Sequence, residues 1–143
     1  MAVLAEAEPN ILPLQTDHVA AATQHETATE AFADLVVDSI QDIKGKQIVR
    51  IDLRGVDDAP SDFFVVCEGE SHVQVRAIAE NVRRRARDEA GERVGSVEGI
   101  AAGNWVCLDY FDTVVHVFGP DVRGFYDLES LWSDAPSVRY EDV

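Results

Sequence analysis

Residues 103–132 read GNWVCLDYFDTVVHVFGPDVRGFYDLESLW, and the periodicities in this stretch decide the fold class. Trp105–Asp109 and Thr113–Phe118 alternate as strands around the turn Tyr110-Phe111-Asp112, which predicts a β-hairpin. Pro120 and Asp121 then open a last helix carrying Phe125, Tyr126, Leu128, Leu131 and Trp132. Alternation sorts the hairpin into two faces. Val106, Leu108, Val115 and Val117 form an aliphatic face suited to packing against helices. Trp105, Cys107, Asp109, Val114, His116 and Phe118 form the other, while Tyr110 sits at the turn, where alternation no longer binds it. A face that mixes a large aromatic, an acid and an imidazole fits a protein interface better than pure core or pure solvent. The competing reading is that helices cover both faces and that Trp105 and Phe118 are ordinary core.

Upstream of the hairpin, Phe63-Phe64-Val65-Val66-Cys67 is a continuous apolar run, as expected of a central strand covered on both faces. Ile48–Leu53 alternates as a further strand, and residues 93–98 form a short one. Ser71 and Gln74 have capping-box spacing ahead of a helix with Val75, Ile78, Ala79, Val82 and Ala86 on one stripe, closed by Gly91. An earlier helix begins near Thr27, with Glu30 completing a second capping box. It carries Phe32, Leu35, Val36, Ile40 and Ile43 and ends at Gly45. The order of elements predicts an α/β fold with a mixed five-stranded sheet and flanking helices, in which Phe63 to Val97 makes a right-handed crossover. Residues 1–26, with Pro9 and Pro13, read as a flexible leader, residues 27–133 as the domain, and residues 134–143 as a polar tail.

The charge narrows the choice of partners. Asp and Glu number 27 against 12 Lys and Arg, a formal net charge of −15. That argues against a general nucleic-acid binder, which needs a basic field, and against anionic membrane surfaces. It suits a basic protein partner, because opposite fields steer encounter, and it also suits plain solubility. Lys44 and Lys46 are the only lysines, a balance compatible with a salt-rich cytoplasm. Cys67 and Cys107 lie in apolar strand-like runs and read as buried small hydrophobes in a reducing compartment. No apolar run approaches the roughly 18 residues of a membrane helix, and the N-terminus lacks a basic start, so the expected location is the cytoplasm.

Catalytic patterns are weak. Asp109 and Asp112 could hold magnesium for phosphoryl transfer, but a turn splays such a pair, and turn chemistry already accounts for Asp112. Gly69-Glu70-Ser71, between a strand and a helix, could present amides to phosphate, yet it has neither the P-loop lysine nor a Gly-x-Gly-x-x-Gly run. Cys67 or Cys107 with His116 would make a Cys–His pair, though no context marks either thiol as activated. The cluster Arg83-Arg84-Arg85-x-Arg87 reads as a solvated face favouring the helix C-terminus, with a local phosphate patch as the alternative. His72 falls at a helix start, and His18 and His25 in the leader.

The segment from about Thr29 to Trp132 resembles the Iojap family, the ribosomal silencing factors. The resemblance rests on Asp42-Ile43-Lys44-Gly45, Asp52-Leu53-Arg54-Gly55, Ser61–Cys67, Val75–Ala79 and Val97-Glu98-Gly99. Its strongest blocks are Asn104–Tyr110, Asp112–Phe118 and Phe125–Trp132. It implies a nucleotidyltransferase-like fold without known catalysis and with no cofactor or metal. It also implies binding to the large ribosomal subunit through large-subunit ribosomal protein number fourteen, at the surface that the small subunit must reach. Such a factor blocks subunit joining and represses translation under nutrient limitation and in stationary phase, and family members can form homodimers. The resemblance places Trp105 and Tyr110 in partner contact, with Asp109, His116, Phe118, Tyr126 and Glu129 as further candidates. Two other classes stay open on the residues alone: a metal-dependent nucleotidyltransferase using Asp109 and Asp112, and a dimeric assembly adaptor.

Overall fold

The apolar run at the centre of the chain becomes β2 (Phe63–Glu68), which is buried along almost its whole length. In the computed structural model, which describes residues 27–143, β2 lies inside a six-stranded sheet of order β3-β4-β5-β2-β1-β6. The other strands are β1 (Lys46–Asp52), β3 (Ser96–Glu98), β4 (Trp105–Asp109), β5 (Thr113–Phe118) and β6 (Ser137–Arg139). Only β2 and β5 pair in parallel, and every other neighbouring pair is antiparallel. The leader assigned to residues 1–26 lies outside the described residues. Phe32–Val143 forms one compact unit, and all the packing described below lies within it.

The sheet therefore has six strands, not five. The extra one, β6, falls in the segment read as a tail. Its three residues are all exposed, so they carry no apolar alternation to betray a strand. Backbone hydrogen bonds hold it instead: Asp52 N–H donates to the Pro136 carbonyl at 2.8 Å and Tyr140 N–H to the Ile48 carbonyl at 3.0 Å.

The helices follow their expected stripes. Helix α1 is helical from residue 27, where the described residues begin, to residue 42. Thr27 already belongs to the helix, so it is not its cap. At the other end, Gly45 N–H donates to the Ile40 carbonyl at 3.0 Å, but the left-handed residue is Lys44, at φ 61°. Gly45 is needed for space, since a Cβ there would stand 2.3 Å from Ile40 Cγ2. Helix α2 (His72–Ala90) is capped by Ser71, whose hydroxyl accepts from Gln74 N–H, and closed by Gly91 at φ 65°.

The single last helix expected from the sequence is two short ones, α3 (Arg123–Tyr126) and α4 (Leu128–Leu131), separated by Asp127 in the left-handed region at φ 44°. Ser130 Oγ donates to Asp127 Oδ2 at 2.6 Å and ties the break together.

Two cores result, one on each side of the sheet. Val65, Cys67, Val106, Leu108, Val115 and Val117 pack with Val75, Ile78, Ala79 and Val82 of α2 and with Val36 and Ile40 of α1. On the other side, Val49, Ile51, Phe64, Val66, Val114 and Phe118 are covered by Val122, Leu128, Trp132 and Ala135 of the C-terminal segment. The two-face sorting of the hairpin holds, and both faces are covered, the second only in part.

Candidate protein-docking surface

The uncovered part of the second face runs along β4. Trp105, Cys107 and Asp109 point to this side and are half-buried. Glu98 and Ser96 of β3 stand opposite Cys107 and Asp109 and are exposed. Gly99 sits where β3 turns toward β4, at φ 87°, and a Cβ there would come 1.9 Å from the Trp105 carbonyl oxygen. Only glycine allows this close approach, which holds the strand bearing Trp105 against its neighbour.

An aromatic stack fixes the indole. Trp105 lies 5.1 Å from Phe118 and 4.4 Å from Tyr126 between ring centroids. Phe125, 83% exposed, packs edge-on against Tyr126, which is 47% exposed. Trp105 Nε1–H donates to His116 Nδ1 at 3.1 Å. The imidazole is buried against Phe64, and its Nε2 has no partner among the described residues. His116 is thus a neutral acceptor that orients Trp105.

Burial pushes the His116 pKa from the ordinary 6.5 down to about 4. Between those values the unfolded chain binds a proton that the folded chain refuses. The stability His116 contributes is therefore whole above pH 6.5 and is lost as pH falls toward 4, by about 2 kcal/mol at pH 5. Unfolding midpoints at pH 7 and pH 5 should converge for His116→Gln and separate for the wild type; equal separation in both would mean that the imidazole is solvated in the folded protein.

The C-terminal segment also holds a buried cation. Arg123 is 7% exposed. Its guanidinium donates to the Gln47 carbonyl, to Glu68 Oε1 at 3.3 Å and to Glu129 Oε1 at 3.2 Å. Gln47 has φ 51° and lies where β1 slips register against β2, so Arg123 takes up a carbonyl at a break in the ladder. One side chain thereby joins β1, β2, α3 and α4.

The groups considered for catalysis sit in structural roles. Asp109 Oδ1 accepts from Phe111 N–H at 2.8 Å, as a turn carboxylate does. Burial pushes the Cys67 thiol up to about 12 and the Cys107 thiol up to about 11, so neither is an activated nucleophile. His116, opposite Cys107 on β5, already spends its Nδ1 on Trp105. Among the described residues, no three His, Cys, Asp or Glu side chains gather where they could hold a metal ion, and no helix is long and apolar enough to cross a membrane. The α2 arginines are engaged with polar and acidic neighbours: Arg83 with Glu80, Arg84 with Asn81, Arg87 with Asp88, and Arg85 with Asp38, Asp42 and Glu89. They form a face of ion pairs and hydrogen bonds.

The family model described as ribosomal silencing factor during starvation matches residues 25–143. The chain belongs to that family. A ribosomal silencing factor from Halalkalibacterium halodurans is 38% identical over 116 residues, covering 81% of this chain and 97% of that protein. One from Bacillus subtilis is 42% identical over 95 residues, covering 66% and 79%. The chloroplastic Iojap protein of Arabidopsis thaliana is 33% identical over 84 residues, covering 56% of this chain and 34% of that protein. A crystal structure of a protein from Chromobacterium violaceum superposes with a TM-score of 0.69 at 36% identity, over 73% of this chain and 85% of that one.

Within this silencing-factor fold, the seven residues singled out from sequence do not form one patch. Trp105, Asp109 and Tyr126 border the open surface. His116 and Phe118 lie beneath it, Phe118 fully buried. Tyr110 is on the opposite side of the sheet, buried in the helix-facing core and packed edge-on against Phe32 at 5.0 Å. Glu129 is bonded to Arg123, with Arg139 4.0 Å away. Tyr110 and Phe118 therefore support the surface instead of facing outward, and Glu129 braces it. Sequence reading missed Arg123, whose burial no local pattern signals, and Phe125, which helical periodicity placed among the apolar residues of a longer helix.

Proposed function

We propose that this silencing factor binds the large ribosomal subunit through large-subunit ribosomal protein number fourteen and so blocks joining of the small subunit. Translation then falls when nutrients are scarce. The observation that carries this reading is the open strip along β4, where Trp105, Tyr126 and Phe125 form an aromatic cluster beside acids. No Lys or Arg occurs between Arg93 and Arg123, while Glu98, Asp109, Asp112 and Asp121 do. An aromatic centre with an acidic rim complements a Lys- and Arg-rich ribosomal protein. Trp105 and Tyr126 are the anchors in this reading, and Asp109 steers. Its mechanism is steric competition on a nucleotidyltransferase-like scaffold in the cytoplasm, with no catalytic step.

Co-sedimentation with isolated large and small subunits, across a range of salt, tests the proposal. Binding to large subunits alone, with fewer joined ribosomes as the protein is titrated in, is the expected result. A dimer that buries the Trp105 face and leaves both subunits unbound would overturn it in favour of an adaptor.

A further inference from the structure

The turn between β4 and β5 presents a feature that the aromatic cluster at the other end of β4 does not explain. Phe111 is 87% exposed, the most exposed of the large hydrophobic side chains among the described residues. Its backbone is in the left-handed half of conformational space, at φ 80°. Asp112 N–H donates to the Tyr110 carbonyl at 3.0 Å, so Phe111 is the middle residue of a three-residue γ-turn, a rare and strained conformation. A bulky side chain is disfavoured there, and glycine or asparagine would be at ease. Hydrogen bonds to Asp109 and Tyr110 hold the turn's backbone, but the exposed ring adds no packing to offset the strain. Strain retained at an exposed position points to use by something outside the chain.

Carboxylates outnumber cations around the turn, where Arg54, paired with Asp52, lies over the Phe63 ring. Asp109 accepts from Phe111 N–H. The Asp112 carbonyl receives N–H bonds from Asp62 at 2.9 Å and Phe63 at 3.0 Å, which brings in the loop containing Asp57, Asp58 and Asp62. Neither residues 55–64 nor residues 109–118 contain Lys or Arg. A second copy of this chain would bring the same negative field and be repelled.

We infer that Phe111 is a partner anchor, an exposed ring presented by a strained turn to an apolar pocket in a Lys- and Arg-rich protein surface. This rests on the ribosome-binding reading above and extends it. The contact surface then runs the length of β4, from Tyr126 and Trp105 to Phe111, roughly 20 Å over the six steps from Trp105 at about 3.3 Å per residue. Phe111 takes the outward role that the neighbouring Tyr110, being buried, does not fill.

Phe111→Gly separates the two sides of the argument. Glycine relieves the strain, so the thermal midpoint should rise by roughly 3 to 6 °C, while affinity for isolated large subunits should fall about tenfold. Phe111→Asn should behave likewise, and Phe111→Tyr should keep wild-type affinity. If Phe111→Gly binds large subunits as well as the wild type does, Phe111 is no anchor. A lower thermal midpoint would show that the ring packs within the fold, and would overturn the inference equally. If the wild type itself fails to bind large subunits, the ribosome-binding reading fails first and the Phe111 contact falls with it.

Discussion

Replacing Arg123 with methionine is expected to lower the stability of the fold by about 3 kcal/mol. Methionine keeps much of the length and apolar stem but removes the charge and every donor. Glu68 and Glu129 would then face each other across the space the guanidinium filled, and the Gln47 carbonyl would lose its partner. Removing one member of a buried ion pair typically costs about 3–5 kcal/mol, because the remaining charge is left uncompensated. The lower end applies here, since the Glu68 and Glu129 side chains keep 35% and 25% of their exposure and water can partly solvate them. Urea unfolding at neutral pH measures the loss. A change below about 1 kcal/mol would mean that the clasp contributes little and that apolar packing by Val122, Leu128 and Trp132 holds the C-terminal segment by itself.

Trp105→Ala is expected to weaken association with large subunits roughly 30-fold or more, the equivalent of about 2 kcal/mol, while the domain stays folded. The reasoning is geometric. Trp105 is half-buried before any partner arrives, it is held by His116 and stacked on Phe118, and it needs little further ordering on binding. Preorganised aromatic anchors of this kind dominate interface energies. The substitution also removes packing against Tyr126, so some stability will be lost as well. Co-sedimentation, with a circular dichroism melt of the same sample, separates the two effects. A variant that no longer folds would assign Trp105 to the core and remove it from the docking surface.

How much of this could be read from the residues differed by element. The interior strands were plain because Phe63–Cys67 and Thr113–Phe118 carry strong apolar runs, and α2 was plain because Ser71 and Gly91 mark both of its ends. Which hairpin side chains share a face followed from alternation alone. The edge strand β6 was hidden, since Ser137-Val138-Arg139 is exposed throughout, pairs with β1 through its backbone and shows no apolar alternation. The break at Asp127 was hidden too, because an aspartate in the left-handed region leaves the helical spacing of Phe125, Leu128 and Leu131 intact. At the docking surface, Trp105 was legible and its neighbourhood was not. Tyr110 and Phe111 are adjacent aromatics at one turn, and only the direction of that turn decides which is buried. Arg123 carried no local sign of burial, because Gln47 and Glu68 reach it from distant parts of the chain and only Glu129 is near it in sequence.

The pairing of β6 with β1 has a consequence for the order in which the molecule can be made. Val49 lies beside Arg139, and Arg123 reaches back to Gln47, so β1 is completed by residues far downstream in the sequence. Chains fold from their N-terminal side as they emerge, and contacts so far apart in sequence must wait for loop closure. Until residues 123–139 have emerged, the chain lacks the clasp and the C-terminal cover that hold Tyr126 beside Trp105. The docking surface proposed here is therefore assembled late, once β6 has emerged and closed on β1, and a nascent copy shorter than that has no complete surface with which to engage a ribosome.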